Sequence, residues 1–189
     1  MTAARTGGAP RRISREEIVR AALELAEAHG LDSVSMRGVA RSLGVTPMAL
    51  YHHVGDKRAL LDAVVEELLS ELPVPDPSLP WSQRLQMLAD ELRAVARRHP
   101  AAFLTLFQRP AVTEPALARR NAVYTALRDA GVPEDLVPRV ERLLSTFVIG
   151  FAASEASGRW GHRSKAQADE DLHWLEQTVT SLLEQHEPR

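Results

Sequence analysis

The apolar residues of this chain recur at steps of three and four, and no segment alternates with period two over a strand's length. The first rhythm marks one face of an α-helix and the second a half-buried strand. The fold class is therefore all-α, and capping and breaking residues divide it into about nine helices. Ser14 opens the first with a capping box, because Glu17 follows three residues later and can reach back to it. Ile18, Ala22, Leu25 and Ala26 supply its inner face, and Gly30 stops it. Ser35 caps a short second helix with Val39, Ala40 and Leu43 inward, which Gly44 breaks. Thr46 caps a third, with Pro47 at the favoured first position, running to about His53. A fourth carries Leu60, Leu61, Val64, Val65, Leu68 and Leu72.

Four of the 12 prolines then fall between Pro73 and Pro80. No helix survives that density, so this stretch is a semi-rigid, extended connector and a boundary. It divides the chain into a small, polar and basic arm (1–12), an N-terminal helical unit (13–72), the connector (73–80) and a helical body (81–189). In the body, Trp81, Leu85, Leu88, Leu92 and Val95 form one amphipathic stripe, ended at His99–Pro100. A short apolar helix of Phe103, Leu104, Leu106 and Phe107 stops before Arg109–Pro110. Two longer helices begin at Pro115 and Pro138, and a last one carries Leu172, Leu175, Val179, Leu182 and Leu183. Asp169-Glu170-Asp171 reads as the acidic complement of that last helix's N-terminus.

Charge is uneven. Residues 1–58 hold nine basic and six acidic side chains, or +3, and the rest of the chain carries −5, for a total of −2. A modestly basic end on an acidic body suits one end that meets phosphate, and it is equally what chance fluctuation produces. Cysteine is absent, so there is no disulfide framework and no thiolate zinc site. No apolar run approaches the roughly 18 residues of a membrane span, and residues 1–10 lack the apolar centre of a secretory signal. The expected compartment is the cytoplasm.

Two short helices around Gly44, completed by the helix before them, have the spacing of a helix-turn-helix, whose second helix enters the DNA major groove. Within it, Thr46 and the helix N-terminus suit a phosphate. Tyr51, His52 and His53 suit phosphates or base edges, and Pro47, Met48 and Ala49 suit apolar contacts such as a thymine methyl. Arg37 suits a bidentate contact to guanine, and Lys57 a backbone phosphate. The plainer alternatives are a core edge for Tyr51 and a solvated pair for His52–His53.

The stretch Val39-Ala-Arg-Ser-Leu-Gly-Val-Thr-Pro-Met-Ala-Leu-Tyr-His-His-Val-Gly-Asp-Lys-Arg-Ala-Leu-Leu-Asp62 resembles the DNA-binding domain of the TetR family of repressors. The leading alanine, the Leu-Gly-Val turn, the Leu-Tyr pair, the second histidine and Lys-x-x-Leu-Leu carry that resemblance. In the body, His99–Pro100, Arg109–Pro110 and Ala130–Gly131 resemble the punctuation of a tetracycline-repressor-like regulatory domain. The resemblance implies a homodimeric repressor of a palindromic operator, released by a small apolar or amphipathic molecule. By motif it makes Arg37, Pro47, Met48, Ala49, Tyr51, His52, His53 and Lys57 operator contacts. The chain departs from the family at Pro47, where a polar base reader is common, and at His52, where an aromatic ring is common. Thr105 and Leu106 stand where the tetracycline repressor has a magnesium-binding histidine, so a metal-chelated tetracycline is not the expected ligand. No cofactor or metal is expected.

The body then has to supply an interface and a pocket. A small-residue stripe of Thr146, Gly150, Ala153, Ser154 and Ser157, with Leu172, Leu175, Val179 and Leu182 of the last helix, is assigned to a four-helix dimer interface. Ordinary packing within one chain gives the same pattern. Phe103, Phe107, Tyr124, Phe147, Phe151 and Trp160 are candidates for an apolar cavity, with Arg109, Gln108 or Asn121 as its polar readers. Aromatics of this kind are as readily plain core.

Enzyme chemistry lacks its usual arrangements: there is no Gly-x-Ser-x-Gly, no phosphate-binding glycine loop and no His-Glu-x-x-His. The expectation is a non-enzymatic DNA-binding regulator. The alternatives are a transcriptional activator, or a DNA-binding module that answers to a partner protein and not to a small molecule.

Overall fold

A computed structural model describes residues 13–109, 113–159, 161 and 165–184. Among these residues the chain forms nine α-helices and two short 3-10 turns, with no strand. The helices are α1 (Arg15–His29), α2 (Met36–Leu43), α3 (Pro47–Val54), α4 (Lys57–Ser70), α5 (Trp81–Arg98), α6 (Thr105–Gln108), α7 (Glu114–Asp129), α8 (Val137–Ala156) and α9 (Lys165–Glu184). The 3-10 turns are Leu31–Ser33 and Ala102–Leu104. The all-α expectation holds, and so does the placement of the breakers. The basic arm of residues 1–12 lies outside the described residues.

Local chemistry sets the helix starts. The Glu17 amide donates to Ser14 Oγ at 3.2 Å, and the Ser14 amide donates to the Glu17 carboxylate at 3.0 Å, closing the capping box. Ser35 Oγ accepts from the Gly38 amide at 3.0 Å, and Asp56 Oδ1 from the Ala59 amide at 2.8 Å. Thr46 differs from expectation. It occupies the cap position of α3 with extended backbone, but its hydroxyl makes no capping bond. Pro47 has no amide N–H to satisfy, so the start of α3 needs one partner fewer.

The connector also differs from a plain extended chain. Asp76 Oδ1 accepts from the Ser78 amide at 2.8 Å, and the Leu79 amide donates to the Asp76 carbonyl at 3.1 Å, folding a turn between the prolines. The carboxylate therefore gains a partner inside its own loop, as aspartates in turns commonly do.

Helices α1, α2 and α3 pack on one another, and α1 and α3 pack on α4, which also reaches α6 and α7 of the body. One continuous core runs through both parts. Ile18, Val39, Leu50, Leu60 and Leu68 belong to it, and so do Val95, Phe103 and Ala152 of the body. A smaller cluster of Leu127, Val132 and Val137 joins α7 to α8.

Two buried arginines interrupt this apolar interior. Arg84 pairs with Asp129. Arg93 of α5 donates from Nε to Glu155 at 2.9 Å and from Nη2 to Asp169 at 2.8 Å, and lies over the Phe151 ring. Burial works against the Arg93 charge, yet its bonds to Glu155 and Asp169 outweigh that and raise its pKa above the ordinary arginine value. This corrects the expected role of Asp169. It is not a first-turn complement, since α9 begins at Lys165 and has no acidic residue in its first turn. It is the residue that ties α9 to α5.

Candidate nucleic-acid interface and the cavity behind it

The turn between α2 and α3 is built on Gly44, whose φ of 68° lies in the left-handed region. The Val45 amide donates to the Ala40 carbonyl at 3.0 Å and the Gly44 amide to the Arg41 carbonyl at 3.2 Å. That pair of bonds is a Schellman ending, which a residue with a Cβ would strain. It turns the chain so that α3 buries Leu50 and Val54 and leaves its opposite face outward.

That outward face holds the expected residues. Met48 is 65% exposed and Tyr51 47%. Thr46, His52, His53 and Lys57 are exposed, as is Arg37 on α2, while Pro47 and Ala49 are half-buried. Arg37, His52, His53 and Lys57 make no hydrogen bond or ion pair among the described residues. Met48 and Tyr51 thus expose apolar surface on α3, and the cations Arg37 and Lys57 and the two imidazoles are exposed with their bonding capacity unspent. Such a surface suits the phosphates and base edges of a groove. Arg41 was missed from sequence. It is exposed one turn after Arg37 on the same helix, and the i, i+4 spacing of the two arginines is the signal that finds it. Among the described residues no three His, Cys, Asp or Glu side chains gather as a metal site would need.

Behind this head, a cavity of about 690 Å³ opens among α4, α5, α7, α8 and α9. Of the aromatic and polar candidates it brings together only Arg109 and Phe147. Phe103 is fully buried in the shared core. Phe107, 53% exposed, faces outward. Tyr124 packs on the small α7–α8 cluster, its ring beneath the Arg128 guanidinium at 5.9 Å. Phe151 sits between Phe147 and Arg93 and not on the cavity wall. Gln108 and Asn121 are exposed and off the wall. Trp160 lies outside the described residues.

The wall residues that sequence reading did not assign to a cavity include the α5 stripe, Trp81, Leu85, Leu88 and Leu92, read there only as one amphipathic face. Arg119, Arg120 and Glu141 add charge. Arg109 connects cavity to head. From the wall, its Nε donates to Asp62 Oδ1 on α4 at 2.7 Å, and its Nη2 to the Arg58 carbonyl at 3.2 Å.

On α8, Thr146 and Ser157 are exposed, and Gly150, Ala153 and Ser154 are half-buried. A Cβ built on Gly150 meets nothing within 4 Å, so no neighbour in this chain requires a glycine there. Leu143 beside it is 67% exposed, and so is Trp174 of α9. Leu172 is buried and faces the cavity. The side chains of Leu175, Val179 and Leu182 lie outside the described residues.

Known proteins similar to this chain in sequence and fold are named as transcriptional regulators or repressors. The chain is 30% identical over 162 residues to the HTH-type transcriptional repressor DrrR1 of Streptomyces coeruleorubidus, covering 85% of this chain and 60% of that protein. It spans 60–65% of the length of such curated relatives. The crystal structure of BioQ with its double-stranded DNA operator superposes with a TM-score of 0.76 at 25% identity, covering 93% of this chain and all of that one, 100%. That of Streptomyces coelicolor ActR in complex with actinorhodin superposes with a TM-score of 0.72 at 29% identity, covering 85% and 77%. Residues 18–64 match the bacterial regulatory proteins of the tetR family, and residues 74–184 match the tetracyclin repressor-like C-terminal domain. With both parts matched in order, the chain belongs to the tetR family of bacterial regulatory proteins.

Proposed function

We propose that the chain is a homodimeric, cytoplasmic repressor that grips a palindromic DNA operator with α3 of each protomer and releases it when a small apolar or amphipathic molecule fills the cavity. The observation that carries the reading is Arg109, which belongs to the cavity wall and holds Asp62 of α4, the helix that follows the reading helix. A ligand that moves Arg109 therefore acts on the head through one ion pair. Two heads must sit about 34–36 Å apart to enter successive turns of one groove face. A ligand that favours a dimer of different spacing shifts the population away from the bound form. The relatives support this reading by kind: DrrR1 is named a repressor, BioQ was solved on its operator and ActR with a small molecule.

The test is a sequenced pull-down of genomic DNA by the purified protein at two salt concentrations. A recovered palindrome supports operator binding, and salt-sensitive binding without an enriched site overturns it. Arg37→Ala is expected to relax preference at one base pair of each half-site, by about 1–3 kcal/mol. Lys57→Ala is expected to weaken all sequences alike, and an equally uniform loss in Arg37→Ala would move Arg37 to the phosphates.

The dimer rests on α8. Leu143 and Phe147 expose apolar surface beside Gly150, and a two-fold pairing of such faces is self-complementary. At Gly150 a Cβ meets nothing within 4 Å in its own chain, and Gly150→Leu gains roughly 1 kcal/mol of helix propensity. The variant is expected to fold and to sediment as a monomer. A dimer of unchanged mass would place the interface elsewhere.

A further inference from the structure

We propose that the cavity takes an amphipathic organic anion, an apolar ring-bearing body with one acidic group, and that Arg120 reads the acid. The inference rests on the cavity being the effector site.

The cavity wall is apolar along α5 and on Leu144 and Phe147 of α8, which suits the body of such a molecule. Its charged groups do not balance. Three guanidiniums, those of Arg109, Arg119 and Arg120, stand on the wall with one carboxylate, that of Glu141. Asp62 answers Arg109 from behind, at 2.6 Å. That leaves the surround with an excess of positive charge, and inside an apolar cavity such an excess favours an anionic guest over a neutral one of the same shape.

The three arginines also differ in what holds them. Arg109 is engaged with Asp62 and the Arg58 carbonyl, and Arg119 donates to the Leu72 and Ser70 carbonyls at 3.1 and 3.0 Å. Both are fixed to α4. Arg120 makes no hydrogen bond among the described residues, and its nearest carboxylate, Glu141, stands at 3.9 Å. That ion pair is long and the Arg120 side chain is 40% exposed, so its planar donors can turn to a carboxylate, sulfonate or phenolate in the bidentate manner that guanidinium favours. Glu141 opposes that guest, which sets the sign of a second variant.

The test uses two fluorescent probes of nearly one shape with the full-length protein. 1-Anilinonaphthalene-8-sulfonate carries the acid, and N-phenyl-1-naphthylamine lacks it. Both are expected to bind in competition with each other, with the sulfonate about tenfold tighter, the scale of one charge-assisted hydrogen-bonded contact. Arg120→Gln is expected to abolish that ratio, and Glu141→Gln to enlarge it. Leu88→Trp, which fills the cavity from α5, is expected to remove both probes. Equal affinities for the two probes, or a ratio unchanged in Arg120→Gln, overturn the anion inference while leaving an apolar effector site intact. Binding of neither probe, or binding indifferent to Leu88→Trp, overturns the effector-cavity reading itself and the inference with it.

Discussion

Phe103→Ala is expected to lower the unfolding free energy by about 3–5 kcal/mol, the range for deleting a buried phenylalanine ring. Against a total of about 5–15 kcal/mol for a typical domain, that is a large fraction. The ring is fully buried where the body meets the head, in the same cluster as Ile18 of α1, Leu60 of α4 and Val95 of α5. The shortened side chain leaves a void where its 3-10 turn packs on α1 and α4, and close-packed helices collapse into such a void only in part. Because the cluster spans both parts of the chain, head and body are expected to lose stability together, in one denaturant transition with an unchanged slope. Phe107→Ala, four residues later, removes a ring that is already half in water, and is expected to cost less than about 1 kcal/mol. A loss of similar size in both variants would mean that Phe107 is covered in the working assembly. A small loss in Phe103→Ala would mean that the two parts do not depend on a common core.

That pair of phenylalanines also shows where the sequence was legible and where it was not. Helices were legible because a three-four rhythm bounded by caps and glycines leaves few alternatives, and of the three caps read from sequence Ser14 and Ser35 make their bonds while Thr46 does not. The outward face of α3 was legible because Leu50 and Val54 define its inner side, which forces Met48, Tyr51 and His52 outward. The cavity was not. Phe103, Leu104, Leu106 and Phe107 form a run too short and too apolar for periodicity to say which side faces the core. The α5 stripe shows the converse limit: an amphipathic pattern predicts an inward face but not whether that face meets protein or empty space, and Leu85 and Leu88 meet the cavity. Buried charge was illegible for a third reason. An arginine in an amphipathic helix is ordinarily at the surface, and only its partners on other helices, here Glu155 and Asp169, make its burial tolerable.

Arg93→Met is the second variant with a large expected effect. The side chain is 3% exposed and its guanidinium is shared among Glu155, Asp169 and the more distant Asp90. Methionine of similar length restores the packing of the stem but leaves Glu155, itself only 13% exposed, with the half-exposed Arg97 at 3.3 Å as its remaining cation. Removing one partner of a buried ion pair costs about 3–5 kcal/mol, and the lower end of that range is expected here because Arg97 still faces Glu155 and Asp169 is 47% exposed. The net value of the intact cluster is much smaller, since each charge was desolvated to form it. A triple variant, Arg93→Met with Glu155→Gln and Asp169→Asn, is therefore expected to recover most of the loss, a strongly non-additive cycle that reports direct coupling. Recovery that fails to appear would mean that the guanidinium acts mainly through its contact with the Phe151 ring, 5.5 Å away. The variants also separate folding from assembly. Asp169 ties α9 to α5 through Arg93, and α9, proposed to share the dimer interface with α8, exposes Trp174. Arg93→Met is thus expected to weaken the dimer in sedimentation at temperatures where the monomer is still folded. Gly150→Leu, by contrast, is expected to weaken the dimer with no loss of monomer stability. An Arg93→Met protein that keeps its full dimer affinity would show that α9 needs no anchor on α5 to present its face.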